Sequence, residues 1–189
     1  GARQLGGGGL AGLGGLALSL LLAIFVVQPV LAPPEEYLKA LQLLSPRTLG
    51  EKIVMVGLAG LLPAVCEEAL CRGLLLQAAR RTLGTGLAIA LSALCFAVLH
   101  LDPYRFLNTL LLGALLAGVA LRAGSLWASV AMHFTNNAVA LLLSESLARD
   151  GRERGLGVVL FLISAIALPV GIWLVGAQAP RTGRRTTEA

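Results

Sequence analysis

The stretch Cys66-Glu67-Glu68-Ala69-Leu70-Cys71-Arg72 places two adjacent carboxylates and a guanidinium inside an apolar run. Residues 53–65 before it and residues 73–76 after it are typical of a membrane-spanning helix. An ionisable side chain near the bilayer centre costs about 2.5–3.5 kcal/mol on insertion scales, so such residues usually face a bundle interior or a water-filled cavity. The stretch therefore predicts a functional site inside a helical membrane bundle.

The composition indicates a polytopic membrane protein. Of the 189 residues, 57% are hydrophobic, and the mean hydropathy of +0.83 is too high for an ordinary soluble domain. The formal charge of +5 comes from basic residues that lie mostly between the apolar runs. Loops at lipid headgroups have this pattern, so the charge predicts a lipid bilayer as partner and no nucleic acid.

Three cysteines, Cys66, Cys71 and Cys95, lie within the apolar runs. We interpret them as small buried apolar residues and not as a disulfide framework. Since the sequence begins at Gly1 and not at a methionine, an upstream piece that was removed or left out stays an open alternative.

Six apolar runs predict the crossings of the membrane. They are residues 10–32, 53–77, 86–100, 106–121, 126–147 and 156–176. The predicted fold class is all-α, a polytopic membrane helix bundle of about six transmembrane helices with an intramembrane polar cavity. On the fourth run, Gly113, Ala117 and Gly118 form a stripe of small residues that permits close helix approach.

The segments between the runs are polar or glycine-rich. Residues 1–9 are glycine-rich and are expected to be poorly ordered. Residues 35–52 form a polar connection that includes a short amphipathic helix at the membrane interface. Its apolar side chains are Tyr37, Leu38, Leu41, Leu43 and Leu44.

We divide the chain into three parts. Residues 1–52 are an N-terminal transmembrane helix with an interfacial segment, residues 53–147 are the helix core that carries the predicted site, and residues 148–189 are a C-terminal transmembrane helix with a basic tail. The basic residues divide evenly between the two sides of the membrane, so the positive-inside rule does not select an orientation. We expect both termini in the cytoplasm.

Polar side chains within the crossings lie on three helices. They are Glu67, Glu68 and Arg72 on the second crossing, His100 at the end of the third, and His133, Asn136 and Asn137 on the fifth. Because residues four apart share a helix face, Glu68 is expected to pair with Arg72. Glu67 is rotated by about 100° from Glu68 and is available to a different neighbour.

The fifth crossing presents its own polar face. His133 and Asn137 are four residues apart, so they share a face from which Asn136 points away. Three helices can thus bring a carboxylate, two imidazoles and a carboxamide to one intramembrane pocket.

These side-chain types suit hydrolysis. A carboxylate or a neutral imidazole takes a proton from water, and His or Asn donors stabilise the oxyanion that forms at the carbonyl. Alternatively, Glu67, His100 and His133 form a His₂Glu set that leaves a fourth position open for water, as in catalytic zinc sites. The residues alone do not separate these two mechanisms.

Other interpretations of the same residues are structural or transport roles. A Glu-Arg pair in a membrane helix can simply neutralise itself and join two helices, and a histidine at a helix end is usually interfacial. An ion- or proton-coupled membrane transport component would also concentrate ionisable groups in its helices. Against transport, the sequence has no inverted repeat and no second interrupted helix in a matching position.

Three motifs carry a resemblance to a known family. They are Glu67-Glu68-Ala69-Leu70-Cys71-Arg72, Phe96-Ala97-Val98-Leu99-His100 and His133-Phe134-Thr135-Asn136-Asn137. In this order they resemble the pattern EExxxR, FxxxH and HxxxN of the CAAX prenyl protease and bacteriocin-processing intramembrane peptidases, also called the type II CAAX endopeptidase or ABI family. Each motif alone is weak, whereas all three in order on separate helices are specific.

The resemblance implies roles for the matching residues. Glu67 and His100 would activate the attacking water, while His133 and Asn137 would form the oxyanion site. Glu68 and Arg72 would support these groups. Family members have been described as metal-dependent, with Glu67, His100 and His133 as the ligands of a divalent ion such as zinc; we favour the rival glutamate-type mechanism, which needs no metal.

The resemblance also implies the class of substrate. Family members cleave near the C-terminus of prenylated proteins, remove leaders from peptides, or, as myxosortase-type enzymes, process sorting tails made of a hydrophobic helix and a basic end. The short chain and its Ala, Leu, Gly and Arg bias fit a bacterial member, located in the plasma (bacterial inner) membrane. A membrane-associated peptide or sorting tail is then the expected substrate, and a non-catalytic bacteriocin-immunity-type membrane protein is the remaining alternative.

Overall fold

The computed structural model describes residues 1–43, 45–149 and 153–176, with side chains over residues 1–43, 45–143 and 156–176. Every regular element within these ranges is a helix, which confirms the all-α class. The helices are α1 (Ala2–Val30), α2 (Glu35–Leu43), α3 (Leu49–Leu99), α4 (Phe106–Ala123), α5 (Leu126–Arg149) and α6 (Glu153–Gly176). Five of them, all except α2, are long and apolar enough to cross a membrane, so the chain is a polytopic helical bundle.

Helix α3 contains two of the six predicted crossings. Its helical path is interrupted at Gly84, where φ is 74° and ψ is 171°, a left-handed conformation that glycine adopts without the usual steric cost. After Gly84 the chain folds back, and the Ser92 hydroxyl donates a hydrogen bond of 3.0 Å to the Cys71 carbonyl. The predicted runs 53–77 and 86–100 are therefore the two arms of one helical hairpin.

The expectation that residues 1–9 are poorly ordered is wrong, because residues 2–9 belong to α1 and Gly1 caps it. Their glycines let α1 approach α5 and α6 more closely than larger side chains would allow. A Cβ atom on Gly8 would collide with the Ala128 carbonyl of α5, and a Cβ atom on Gly7 would lie 2.9 Å from Leu174 Cβ of α6. The glycine run is thus a packing surface.

The stripe of small residues on α4 serves close packing at one of its glycines. A Cβ atom on Gly113 would lie 3.0 Å from Ala93 Cα, so α4 touches the backbone of the second α3 arm there. Ala117 is fully buried, whereas nothing lies within 4 Å of the position a Cβ would take on Gly118. Close approach is confirmed for Gly113 only.

All three cysteines are free, and only one of them is fully buried. Cys71 is buried and Cys95 is half-buried, but Cys66 is exposed on the outside of the bundle. Cys66 shares this outward face with Leu62 and Leu70, one turn before and after it, which are both exposed. The interpretation of Cys66 as a core residue was therefore wrong.

Several predictions are only partly covered by the described residues. The predicted amphipathic helix is present as α2, whereas Leu44 lies outside the described residues. The last predicted crossing corresponds to α6, and the basic tail of residues 181–185 lies outside the described residues. The division of the chain at residues 52 and 147 stays a prediction.

Replacing Gly14 by alanine should destabilise the bundle. The added methyl group would meet the Leu168 backbone, which cannot rotate away, and overpacking of this kind costs about 1–3 kcal/mol of the free energy of unfolding. Gly6→Ala is the matched control on the same helix, because nothing lies within 4 Å of a Cβ there. Thermal melting in detergent micelles compares the two variants, and equal melting temperatures would contradict the close packing of α1.

Candidate active site

The predicted pair between Glu68 and Arg72 is confirmed, and it lies at the centre of the bundle. Arg72 Nη1 donates to Glu68 Oε1 at 2.8 Å, and both side chains are 0% exposed. Arg72 Nη2 donates to the Gly113 carbonyl at 2.8 Å, and the guanidinium lies 4.4 Å from the ring centroid of Phe96. One cation therefore connects both arms of α3 with α4.

His133 lies between the two carboxylates of the first motif. Its Nδ1 donates to Glu68 Oε1 at 3.2 Å, and its Nε2 lies 3.9 Å from Glu67 Oε2. Glu68 pairs with Arg72 and Glu67 has a different neighbour, as predicted; the imidazole of His133 additionally reaches Glu68, so it contacts both acids from its two nitrogens. The bond to Glu68 fixes the proton on Nδ1 and orients Nε2 towards Glu67.

Glu67 is the more accessible of the two acids. Its side chain is 32% exposed, whereas that of Glu68 is fully buried. Glu67 Oε2 has no hydrogen-bond partner among the described residues, and its distance from His133 is too long for a hydrogen bond. Lone pairs that are not committed to a structural bond are what a general base requires.

His100 lies at the end of the second α3 arm. Its Nδ1 donates to the Phe96 carbonyl at 2.8 Å, so Nε2 carries the lone pair and can accept a proton. The Phe96 ring lies between the two imidazoles, with centroid distances of 4.8 Å to His100 and 5.4 Å to His133. Phe96 of the second motif thus spaces the two histidines.

A cavity of about 350 Å³ brings most of the predicted residues together. It lies between α1, α2, the loop after α3, α4 and α5. The predicted residues that line it are His100, His133, Asn136 and Asn137. Glu67, Glu68 and Arg72 do not line it; Glu67 and Glu68 reach it through His133, which they contact.

The two asparagines of α5 both face this cavity, so the prediction that Asn136 points away is wrong. Asn136 is 8% exposed, and its Nδ2 donates to Asn137 Oδ1 at 3.3 Å. The cavity is wide enough to be lined by successive residues of one helix. Since Asn137 Oδ1 accepts this bond, its amide nitrogen is the group that can donate to an oxyanion.

Several polar residues of the cavity were missed because they lie outside the three motifs. They are Ser19 and Gln28 on α1, Tyr37 on α2, Tyr104 and Arg105 on the loop after α3, and Asn108 and Thr109 on α4. Ser19, Gln28, Asn108 and Thr109 could have been found from the sequence, since each is a polar side chain within a predicted crossing. Tyr37, Tyr104 and Arg105 lie in connections whose placement depends on the fold.

At the mouth of the cavity, Tyr37 joins α2 to the loop that follows His100. Its hydroxyl donates to Asp102 Oδ2 at 2.6 Å, and its ring lies 4.9 Å from that of Tyr104. Burial, followed by the hydrogen bond to Asp102, raises the pKa of Tyr37 to about 12. The phenol therefore stays protonated, and can donate this bond, throughout the physiological pH range.

The residues as arranged do not fit a bound metal ion. No group of three or more His, Cys, Asp or Glu side chains that could hold one occurs in the part of the chain that the structure describes. Nδ1 of His133 is bonded to Glu68 and Nδ1 of His100 to the Phe96 carbonyl. A metal-bound imidazole makes the same outer bond, so it is the placement of the three side chains, and not these bonds, that does not fit a metal ion. Glu67, His100 and His133 would have to rearrange before they could act as ligands.

The part of the chain that carries these residues matches a known protein family. The family model described as type II CAAX prenyl endopeptidase Rce1-like matches residues 49–139. The matched segment begins with α3 and ends within α5, so it contains all three motifs, while α1, α2 and α6 lie outside it. No curated protein and no solved structure matches the chain. The resemblance inferred from the motifs is thereby confirmed.

Glu68→Gln should lower the free energy of unfolding by about 3–5 kcal/mol, because it leaves the Arg72 guanidinium buried without a counter-charge. The double variant Glu68→Gln/Arg72→Met removes both charges and should recover part of this loss. Glu35→Gln is the matched control, since Glu35 forms an exposed i,i+4 pair with Lys39 and should change stability by less than about 1 kcal/mol. Thermal melting measures all three; an unaltered profile for Glu68→Gln would refute the buried pair.

Proposed function

We propose that this chain, whose residues 49–139 match the type II CAAX prenyl endopeptidase Rce1-like family, is an intramembrane endopeptidase that hydrolyses a peptide bond in a membrane-associated protein or peptide. One observation carries the proposal. Two imidazoles and a carboxamide, from His100, His133 and Asn137, line one cavity inside a membrane bundle, and the free carboxylate of Glu67 lies beside one of the imidazoles. These are the groups that amide hydrolysis requires.

In the proposed mechanism, Glu67 and His100 together activate water: one of them accepts its proton, and the other orients it, as the water oxygen attacks the scissile carbonyl. The attack forms a carbon–oxygen bond and a tetrahedral oxyanion, and the proton later passes to the leaving nitrogen as the carbon–nitrogen bond breaks. His100 Nε2 carries the lone pair for this transfer, because its Nδ1 donates to the Phe96 carbonyl. Neither group needs to be released from a structural bond first.

Asn137 and His133 donate to the oxyanion. Asn137 has its amide nitrogen available, since its oxygen accepts from Asn136. His133 Nδ1 donates to Glu68, so Nε2 can donate only when the ring carries both protons. The negative charges of Glu67 and Glu68 beside the ring stabilise this positively charged form. Glu68 thus supports the reaction through His133, and Arg72 supports it by holding Glu68 in place.

The substrate class follows from the membrane location and the family. We propose a segment that is itself held at the membrane, either a C-terminal CAAX-like or sorting tail or an N-terminal leader. The five helices that are able to cross a membrane make the chain a multi-pass membrane protein, and we propose the plasma (bacterial inner) membrane as its location.

Glu67→Gln and His100→Ala should each lower kcat by about 10²–10⁴-fold, because each removes a group that activates the attacking water. The purified chain in liposomes is assayed with two probes: a farnesylated CAAX peptide, and an unprenylated reporter with a hydrophobic helix and a basic end. Cys66→Ala is the matched control, since Cys66 adjoins Glu67 but faces outward.

Undiminished turnover in both Glu67→Gln and His100→Ala would refute the assignment of these residues. Cleavage of neither probe by the unsubstituted chain, together with ion or proton flux across the same liposomes, would favour the transport alternative. The relative rates on the two probes separate CAAX-like processing from sorting-tail processing.

Chelation should leave the peptidase activity unchanged, because the proposed mechanism routes every proton through side chains. The measurement is bound metal per chain by atomic emission, together with turnover after dialysis against a chelator. Activity that disappears on chelation and returns with zinc would instead support the metal-dependent mechanism, with Glu67, His100 and His133 rearranged as ligands.

A further inference from the structure

One residue next to His100 has a backbone conformation that its side chain disfavours. Leu101 has a φ of 50°, in the left-handed region, and it is the only non-glycine residue with positive φ in the part of the chain that the structure describes. Non-glycine residues held there persist only where their surroundings impose the conformation, and they concentrate at functional sites. Leu101 itself is 87% exposed, so its side chain contributes little to holding it.

The backbone nitrogen of Leu101 donates to the Val98 carbonyl at 3.1 Å, as in a left-handed helix ending, and the next residue, Asp102, fixes the chain on the other side of Leu101. Its Oδ1 accepts hydrogen bonds from the backbone nitrogens of Tyr104 at 3.0 Å and of Arg105 at 3.2 Å. Its Oδ2 accepts the 2.6 Å bond from the Tyr37 hydroxyl and lies 3.7 Å from Arg105 Nε. Asp102 is therefore fixed to the start of α4 on one side and to α2 on the other.

The positive φ of Leu101 and the contacts of Asp102 occur in the same three-residue segment, residues 100–102. His100 ends a helix, Leu101 is held in a disfavoured conformation, and Asp102 is fixed by four contacts. A loop under such constraint relaxes when one of its contacts is lost, and the relaxation moves the residue at its other end. Tyr37 is the only one of the contact partners that comes from outside the loop and the start of α4.

We infer that Tyr37 and Asp102 are positioning residues, which hold the loop in the strained conformation that keeps His100 directed into the cavity. The inference rests on the proposed function, since it concerns the orientation of a residue assigned there to water activation. It also gives α2 a part in the site: Tyr37 and His100 line the same cavity, so the short helix closes the mouth and positions the imidazole through one hydrogen bond.

The decisive experiment combines loss of the bond with relief of the strain. Tyr37→Phe removes the hydroxyl and keeps the ring against Tyr104, so kcat should fall by about tenfold or more while KM stays unchanged, because a catalytic group is displaced. Leu101→Gly removes the tendency to relax, since glycine adopts positive φ without penalty. The double variant Tyr37→Phe/Leu101→Gly should therefore regain most of the lost kcat.

A readout that does not depend on catalysis is the reaction of His100 with diethyl pyrocarbonate, followed by absorbance. The chain has two histidines, of which His133 is buried and His100 is exposed. Tyr37→Phe should change the rate of the accessible histidine, and the added Leu101→Gly should restore it. Asp102→Asn, which can still bond to the Tyr37 hydroxyl and to the backbone nitrogens of Tyr104 and Arg105, should behave more like the unsubstituted chain than Asp102→Ala does.

Three results would overturn the inference. Unchanged kcat and histidine reactivity in Tyr37→Phe would show that the bond does not position His100. A raised KM with unchanged kcat would place Tyr37 in substrate binding instead. A loss of kcat that Leu101→Gly does not restore, accompanied by a lower melting temperature, would make the role purely structural. Because Glu67→Gln is assayed in parallel, failure of this inference is distinguishable from failure of the proposed peptidase activity.

Discussion

The buried guanidinium of Arg72 is the constraint on which the rest of the structure depends. A charge that is fully removed from solvent is tolerated only if it is paired and hydrogen-bonded. Here it takes the carboxylate of Glu68, the carbonyl of Gly113 and the face of Phe96, which come from three helical segments. These partners fix how the two arms of α3 and α4 lie against one another, and therefore where the side chains of each motif meet.

The carboxylate of Glu68 also fixes the orientation of the His133 imidazole. Glu68 uses one oxygen for both Arg72 and His133, so the orientation of the imidazole depends on the ion pair behind it. Phe96 in turn separates the imidazoles and stacks on the guanidinium. The first motif thus combines an accessible acid with a buried acid, and this difference in burial is why we propose a proton-accepting role for Glu67 and a structural role for Glu68.

How far the sequence predicts this arrangement depends on the range of the interaction. The pairing of Glu68 with Arg72 follows from helical spacing and was predicted, as were the membrane bundle and the convergence of both histidines. The contact of His133 with both acids could not be predicted, because it depends on the crossing of α3 and α5. The order of the N-terminal glycines was misjudged, since glycine permits flexibility in isolation and close packing when another helix is present.

Helix α1 contributes to the shape of the cavity but carries none of the motif residues. The side chains of α1 form one wall, yet α1 lies outside the segment that matches the family. Substituting residues on that wall would reshape the volume in which a substrate lies without altering any acid, imidazole or carboxamide of the motifs. In the proposed peptidase, α1 would therefore shape the choice of substrate, while α3 and α5 carry the groups of the proposed chemistry.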